Sequence, residues 1–227
     1  MNYKFLTGRE NNELIQYNDQ LLHKECIDDF KRLQTLAKNE IDADLQIVSS
    51  FREHSRQELI WNAKASGKRD LLDSKGSIVD FNQLSPTELL NSIMRWSAIP
   101  GASRHHWGTD FDIYDAKKIS KKDLKLTPQE SNEDGILHEF HLWLTEKIKA
   151  KNSFNFFRPY ALDHGGISPE MWHISHSTLS SPLLEHYTIE VFEQNIHESN
   201  ILLKENILNE LESIYNLYIQ TISPVST

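Results

Sequence analysis

Histidine and aspartate residues are concentrated in one short segment, Ser103–Asp112, which reads SRHHWGTDFD. Neutral imidazole nitrogens and carboxylate oxygens are both good ligands for zinc. Gly108 would let the chain turn between His105 and Asp112, so that both side chains can face one point. Polar turns also produce such clusters, so this segment alone leaves open whether it binds a metal.

A second segment, Pro169–His176, reads PEMWHISH and combines a glutamate with histidine. Because alternate side chains of a strand face opposite sides, Trp172 and Ile174 would anchor a strand here while His173 points into a cleft. Glu170 has the wrong parity for that face and is expected in the turn before the strand, which the neighbouring proline supports. The alternative is a half-buried edge strand with a solvent-facing histidine.

Taken together, the two segments offer a His, Asp, His ligand set and a nearby glutamate. Three protein ligands leave a fourth position for water, which is the arrangement of a catalytic zinc. A carboxylate just outside the ligand shell can take a proton from the water that zinc activates. The combination predicts a hydrolytic zinc site assembled from two distant stretches of the chain.

The elements that would position these residues are helices and a few short strands. Hydrophobic spacing predicts helices over residues 11–40, from about 55 to 66, from 85 to about 97, over 136–150 and, as a pair, over 182–222. Short strands are predicted over residues 45–48, 111–114, 156–158 and 172–174. Because helices and strands do not alternate regularly, the pattern favours an α+β fold with a small antiparallel sheet flanked by helices.

Composition restricts the class of protein. The chain has 227 residues, of which 38% are hydrophobic and 25% charged, as is usual for a globular domain. Its net charge is −9 with no long basic block, which argues against a nucleic-acid partner. The single cysteine, Cys26, allows no internal disulfide. The composition does not determine the oligomeric state.

No apolar stretch approaches the ~20 residues that a membrane-spanning helix needs, so no membrane span is predicted. The first residues contain no apolar run long enough for the core of a signal peptide. The expected location is therefore cytoplasmic. Action in the periplasm or at the cell wall stays open, since a chain can also be released by another route.

The chain carries three ordered motifs: SSFREHSRQ over residues 49–57, S-x-H-x-x-G-x-x-x-D over 103–112 and E-x-W-H over 170–173. These motifs resemble the signatures of the D-alanyl-D-alanine carboxypeptidase and dipeptidase metallopeptidases, the VanY and VanX relatives. That group shares its zinc fold with lysostaphin and the hedgehog signalling domain. The resemblance extends over residues 43–177.

The resemblance implies a role for each matching residue. His105, Asp112 and His173 would bind Zn²⁺, and Glu170 would be the general base that activates water and later protonates the leaving amine. Arg52 would contact the substrate through its terminal carboxylate or its scissile carbonyl, since a guanidinium offers a fork of donors suited to either.

Three further roles have open alternatives. The alternative for Arg52 is a surface ion pair with Glu53 or Asp44. Ser103 and Gln57 are candidate substrate-binding residues, and each is equally expected to shape its local loop.

The chain departs from the family pattern at three positions. Asp110 stands where alanine is frequent, Met171 where proline is common, and Ser50 where glycine is usual. An extra acid at 110 would bind water or make the site more negative. His106 is a rival to His105 as a ligand, although the family register favours His105. None of these departures removes a ligand or the base.

The resemblance also implies the fold and the activity. It predicts a zinc metallopeptidase domain over residues 1–177, hedgehog and D-Ala-D-Ala-peptidase-like, and a helical C-terminal extension over 178–227 packed on the same domain. The implied activity is that of a zinc-dependent D-alanyl-D-alanine carboxypeptidase acting on peptidoglycan-derived stem peptides. The alternatives are a peptidoglycan L,D- or cross-bridge endopeptidase with the same zinc site, and a non-catalytic zinc-stabilised binding module.

Overall fold

The computed structural model describes residues 2–73 and 76–225 and shows helices around a small sheet. The helices are α1 (Tyr3–Leu6), α2 (Cys26–Ile41), α3 (His54–Ala65), α4 (Pro86–Met94), α5 (Pro128–Ser131), α6 (His138–Lys149), α7 (Ser177–His186), α8 (Ile189–Glu198), α9 (Lys204–Asn209) and α10 (Leu211–Ile214). The strands are β1 (Leu14–Tyr17), β2 (Gln20–His23), β3 (Leu45–Ser49), β4 (Leu71–Leu72), β5 (Ile78–Val79), β6 (Asp110–Asp115), β7 (Phe156–Phe157) and β8 (His173–His176). Short 3₁₀ turns cover Phe81–Gln83 and Arg104–Trp107, and a π-helical turn covers Tyr215–Gln220. The α+β prediction is confirmed.

The central sheet has the strand order β3-β6-β8-β7, and all its neighbouring pairs are antiparallel. Its two faces differ in chemistry because side chains alternate along each strand. On β6, Phe111 and Ile113 face a hydrophobic core, whereas Asp110 and Asp112 face the opposite side. This alternation turns one face of the sheet into a polar surface that can hold a site.

The first hydrophobic core lies between the apolar face of the sheet and helices α2 and α6. Phe30 of α2 contacts Phe111 of β6 and Phe156 of β7 edge to face, with ring centroids 5.6 and 6.2 Å apart. Such packing stabilises the fold through burial of apolar area and through the aromatic quadrupoles. The strands that carry the polar face are therefore held from behind.

A second hydrophobic core joins α3 and α4 to the C-terminal helices. Trp61 of α3 and Ile93 of α4 are fully buried in it together with Phe192, Ile196 and Ile207. Helix α4 begins with the capping box that its Ser-Pro-Thr-Glu sequence predicts. The boundary predicted at residue 177 stays a prediction. Within the described ranges, none of the helices is long and apolar enough to cross a membrane.

The helix predicted over residues 11–40 is wrong in its first half. Strands β1 and β2 form an antiparallel hairpin there, and α2 begins only at Cys26. Asn18 adopts a left-handed φ of 53° in the turn between the strands, which a helix does not allow. The hairpin packs on the site segment, since the His23 amide donates to the Gly108 carbonyl at 2.8 Å.

The C-terminal region also differs from its prediction. Two helices were expected over residues 182–222, and the chain instead forms α7 to α10 and a π-helical turn. Leu203 takes a positive φ of 65° and separates α8 from α9. Breaks of this kind are invisible to hydrophobic periodicity, because the apolar residues on each side still point into one core.

Candidate metal centre

Three side chains from the two motif segments meet on the polar face of the sheet. His105, Asp112 and His173 each offer one ligand atom, and these atoms lie within 4.8 Å of one another. All three residues are buried, with at most 5% of their surface exposed. Two imidazoles and a carboxylate at this spacing are the donor set of a catalytic zinc site with an open fourth position. The residues therefore fit the metal that the sequence predicts.

The backbone explains why these residues meet. Asp112 pairs directly with His173 across β6 and β8, so their side chains lie side by side on the same face. His105 comes from the 3₁₀ turn before β6, which Gly108 ends with a left-handed φ of 65°. A Cβ at position 108 would also lie 3.1 Å from the His23 backbone nitrogen, so the positive φ and the close approach of β2 both favour glycine.

A backbone acceptor orients the first imidazole. His105 Nδ1 donates to the Ser50 carbonyl at 2.8 Å, which leaves Nε2 free of the proton and 3.4 Å from Asp112 Oδ2. Metal-binding histidines commonly donate their other ring nitrogen in this way, because the hydrogen bond fixes the tautomer. The ligand atom of His105 is therefore Nε2.

A carboxylate orients the second imidazole in the opposite sense. His173 Nε2 lies 3.0 Å from Asp110 Oδ1, and its Nδ1 lies 3.4 Å from Asp112 Oδ1 and 3.5 Å from Glu170 Oε2. Donation to Asp110 leaves Nδ1 as the atom that faces the metal position. Asp110 is thus no ligand but the partner that holds the ligand His173 in place.

Asp110 is completely buried and its carboxylate is saturated with partners. Arg104 Nε donates to it at 2.7 Å, while the hydroxyls of Thr109 and Ser175 donate at 2.8 and 3.0 Å. Burial by itself raises the pKa of Asp110, but Arg104 and His173 outweigh that effect and lower it to about 2. The extra acid noted in the sequence is therefore an ionised group neutralised by Arg104, and it does not leave the site with a free negative charge.

Asp112 is stabilised as a carboxylate by its two histidine neighbours. Burial raises its pKa, but the charges and hydrogen bonds of His105 and His173 hold the pKa well below its usual range. A group that stays ionised at all ordinary pH values is suited to bind a cation.

Glu170 lies next to the ligands in the turn before β8, as its parity predicts. Its amide donates to the Tyr160 carbonyl at 2.9 Å, and its own carbonyl accepts from the His173 amide at 3.2 Å. These two bonds hold the backbone on both sides of the side chain, whose carboxylate remains 14% exposed toward the cavity. A carboxylate in this place can exchange protons with a water at the metal position.

Arg52 also lines the cavity, with its guanidinium 3.9 Å from Asp112 Oδ2. It donates to Gln57 Oε1 at 3.0 Å and to Ser49 Oγ at 3.3 Å. Gln57 is fully buried and donates in turn to the Ala98 carbonyl at 2.7 Å. Among the described residues, the carboxylate within ion-pair distance of Arg52 is Asp112, and neither of the two acids considered from the sequence lies there.

The two weaker substrate-binding candidates occupy different places. Ser103 is buried and lines the cavity next to His105. Gln57 lies behind Arg52 and is not part of the cavity wall. Substrate contact by either residue stays a prediction.

His106 lies away from the metal position. Its Nε2 accepts from the Gly101 amide at 2.9 Å, and its Nδ1 donates to the Arg52 carbonyl at 2.5 Å. Burial lowers the pKa of His106 to about 3, so the ring stays neutral. It therefore fixes the backbone of the Arg52 segment, which the sequence alone did not indicate.

The ligands, Glu170 and Arg52 open into one cavity of about 250 Å³. Its wall contains residues that sequence reasoning did not select: Lys64, Arg69, Trp96, Ser97, Arg104 and Tyr160. The sequence did contain a pattern that points to Lys64. It follows Gln57 by two turns on the predicted second helix, so the two residues share a helix face. For Arg104 the signal was the unusual acid at position 110, whose charge requires a buried partner.

Comparison with known proteins agrees with this geometry. The family model VanY, D-alanyl-D-alanine carboxypeptidase, matches residues 19–179. An uncharacterized protein of Haemophilus influenzae is 36% identical over 102 residues, which is 42% of this chain and 68% of that protein.

Two solved structures share the fold. The first is VanYB in complex with D-alanine-D-alanine, with a TM-score of 0.53 and 19% identity, covering 87% of this chain and 89% of that one. The second is a mutant of the vancomycin-resistance D,D-pentapeptidase VanY in complex with Zn(II), with a TM-score of 0.50 and 20% identity, covering 86% and 89%. The family match spans both ligand segments and the Arg52 motif. The chain therefore belongs to the VanY family of D-alanyl-D-alanine carboxypeptidases and is a peptidase of the zinc type.

Proposed function

We propose that this enzyme is a zinc-dependent D-alanyl-D-alanine carboxypeptidase that acts on peptidoglycan stem peptides. The observation that carries the proposal is the convergence of His105, Asp112 and His173 with Glu170 in one cavity. VanYB, which has the same fold, was solved in complex with D-alanine-D-alanine, and this supports the choice of substrate. The location in which the enzyme meets its substrate, cytoplasmic or at the periplasm or cell wall, stays a prediction.

His105, Asp112 and His173 would hold the zinc ion. Bound zinc supplies a Lewis acid that lowers the pKa of water and polarises a carbonyl oxygen. Hydrogen bonds to Ser50 and Asp110 keep both imidazoles turned toward the ion, so little reorganisation is needed when it binds.

Glu170 would act as the general base and then as the general acid. Its carboxylate takes a proton from the attacking water and delivers it to the nitrogen of the departing D-alanine. Its position 3.5 Å from His173 Nδ1 supports this role, because a water at the metal position lies within reach of the same carboxylate.

Arg52 would stabilise the negative charge that develops on the scissile carbonyl oxygen. The guanidinium lies near the ligand Asp112 and is held by Gln57 and Ser49. A donor fixed in advance stabilises a developing charge without reorganising. Gln57 is therefore assigned to positioning Arg52.

The test combines metal content with product analysis. Elemental analysis of the purified protein should find about one zinc per chain, and a pentapeptide stem ending in D-Ala-D-Ala should release free D-alanine. Glu170→Ala should keep its zinc and lose turnover by a factor of ~10²–10⁴, the usual contribution of a general base.

Other products decide between the alternatives. A cut inside the stem or in a cross-bridge would identify an endopeptidase and overturn the carboxypeptidase assignment. Zinc-loaded protein that cleaves none of these peptides would favour the binding module, for which a carboxylate such as Glu170 has no purpose. Wild-type turnover by Glu170→Ala would refute the assigned base.

A further inference from the structure

Lys64 is a buried cation in the cavity wall that the proposed mechanism does not use. It lies on α3, two turns after Gln57, and only 9% of its surface is exposed. Its ammonium donates to Ser97 Oγ at 2.6 Å. Two helical turns correspond to a rise of about 10 Å along α3. Lys64 therefore lies further along α3 than Gln57, and it lines the same cavity as Arg52.

In the part of the chain that the structure describes, no carboxylate forms an ion pair with Lys64; Glu170 attracts its charge at longer range, and Arg69 and Arg52 repel it. No carboxylate there comes within 4.0 Å of its ammonium, so its one polar partner is a hydroxyl. Burial lowers the pKa of Lys64 to about 8, which still leaves the side chain protonated at neutral pH. A buried charge without a partner is costly, and proteins rarely keep one without a reason.

The other charges of the cavity do not neutralise Lys64. Asp112 and Glu170 belong to the metal centre, and Arg104 is already paired with Asp110 at 2.7 Å. Arg69, which is exposed, lines the same cavity and adds a second positive charge. The cations Arg69 and Arg52 near Lys64 thus outnumber the one carboxylate, Glu170, that attracts it.

We propose that Lys64, Ser97 and Arg69 form an anion subsite that binds a carboxylate of the peptide substrate. The inference rests on the proposed peptidase function and adds to it a division of roles. Arg52 contacts the reacting carbonyl, while the Lys64 subsite selects peptides by their charge. An ammonium is a compact point charge with several donors, which suits a carboxylate that arrives at a partly closed site.

A peptide can present this carboxylate from two sources. One is the free terminus of the leaving residue, and the other is an acidic side chain in the residue before the D-Ala pair. Four tripeptides ending in D-Ala-D-Ala distinguish them: a glutamate and a glutamine version, each as the free acid and as the C-terminal amide.

Kinetics and binding are measured with all four peptides. Wild-type enzyme should prefer the carboxylate-bearing member of one pair by about 30-fold or more in kcat/KM, the effect of removing one partner of a buried charge pair. Lys64→Met should lose that preference, mainly through a higher KM for the acidic peptide, so that the ratio of kcat/KM between the acidic and neutral peptides approaches one. Preference within the acid and amide pairs assigns the subsite to the terminus, and preference within the glutamate and glutamine pairs assigns it to the side chain.

Matched variants separate charge from packing. Lys64→Arg retains the cation and should keep most of the preference. Lys68→Met removes an exposed lysine four residues further along and should behave like wild type. A Lys64→Met enzyme that keeps the full wild-type preference for acidic peptides would overturn the subsite.

Binding decides the subsite even if hydrolysis fails. Calorimetry on the zinc-loaded Glu170→Ala protein, with and without Lys64→Met, compares the affinity of the acidic and neutral peptides without turnover. A charge preference that depends on Lys64 supports the subsite, and equal affinities overturn it. Absence of hydrolysis by the wild-type enzyme would instead refute the proposed function, so the two failures are distinguishable.

Discussion

Two buried cations line the same cavity and differ in how the protein treats their charge. Arg104 is 4% exposed, bonded to the carboxylate of Asp110 and to Ser175 Oγ, and its guanidinium lies 4.9 Å from the Trp107 ring. Lys64 is 9% exposed and bonded only to the hydroxyl of Ser97 among the described residues. The charge of Arg104 is neutralised by a carboxylate within the fold, whereas Lys64 has no carboxylate within ion-pair distance among the described residues.

The difference indicates what each residue is for. The charge of Arg104 is neutralised by Asp110, so Arg104 serves the structure around His173, although its Nη1 has no hydrogen-bond partner among the described residues. A cation with a neutral partner alone still has electrostatic energy to gain from an anion.

The largest expected effect is the loss of stability when the ion pair between Arg104 and Asp110 is broken. Asp110→Ala should lower the free energy of unfolding by about 3–5 kcal/mol, because it leaves the charge of Arg104 buried without compensation. Urea denaturation with the metal removed measures this. The double variant Asp110→Ala with Arg104→Met should recover most of the loss. Equal stability of the single and double variants would contradict the pairing.

The same pair should also affect metal affinity, by a smaller amount. Asp110→Asn cannot neutralise Arg104 and holds His173 less firmly, so zinc affinity should fall about 10–100-fold. Competition with a chelator measures the dissociation constant directly. The matched control is Ser180→Ala, which also changes a buried residue. It removes a hydroxyl that is bonded to Ser175 and not to the metal-binding residue His173. Unchanged affinity in Asp110→Asn would show that the carboxylate does not orient the imidazole.

The smallest expected effect is at Lys64, where a substitution should increase the free energy of unfolding rather than lower it. Lys64→Met should raise the unfolding free energy by about 1 kcal/mol at pH 7, because an apolar side chain avoids the cost of burying a charge. Lys38→Met, at an exposed ion pair with Asp42, should give no measurable change. Chemical denaturation of both variants tests whether burial is the cause.

The pH dependence of that gain has a defined sign. The pKa of Lys64 is about 8 in the folded chain and 10.5 in the reference state, so between these values the unfolded chain binds more protons. Wild-type stability therefore gains a contribution as pH rises from 8 to 10.5, and Lys64→Met lacks that contribution. The advantage of the variant should shrink over this range. A constant difference between the two proteins would contradict a buried ammonium.

Much of the metal centre could be predicted because its signals are local. The alternation of polar and apolar residues over positions 110–113 is enough to place Asp112 on one face of a strand and Phe111 on the other, as β6 shows. Parity also placed Glu170 in the turn before β8. Helices α3 and α4 begin close to their predicted first residues. For α4 the reason is that its capping box and proline act over a single turn.

The remaining features depend on contacts between distant parts of the chain. Leu14, Leu21 and Leu22 fit a helical spacing, yet they form a hairpin because β1 and β2 pair and pack against Gly108. Periodicity describes which side chains are apolar and not which neighbour they meet. The same limit explains why the several short C-terminal helices were predicted as two.

By itself the sequence determined the ligand types, their order and their faces, because side-chain chemistry and strand alternation are properties of neighbouring residues. Only the tertiary structure decided which buried charges have an ion-pair partner and which do not. Asp110 became the partner of Arg104 and His173, while Lys64 was buried beside a hydroxyl. The physical reason is that the cost of a buried charge depends on every group around it, and those groups come from elements far apart in the chain.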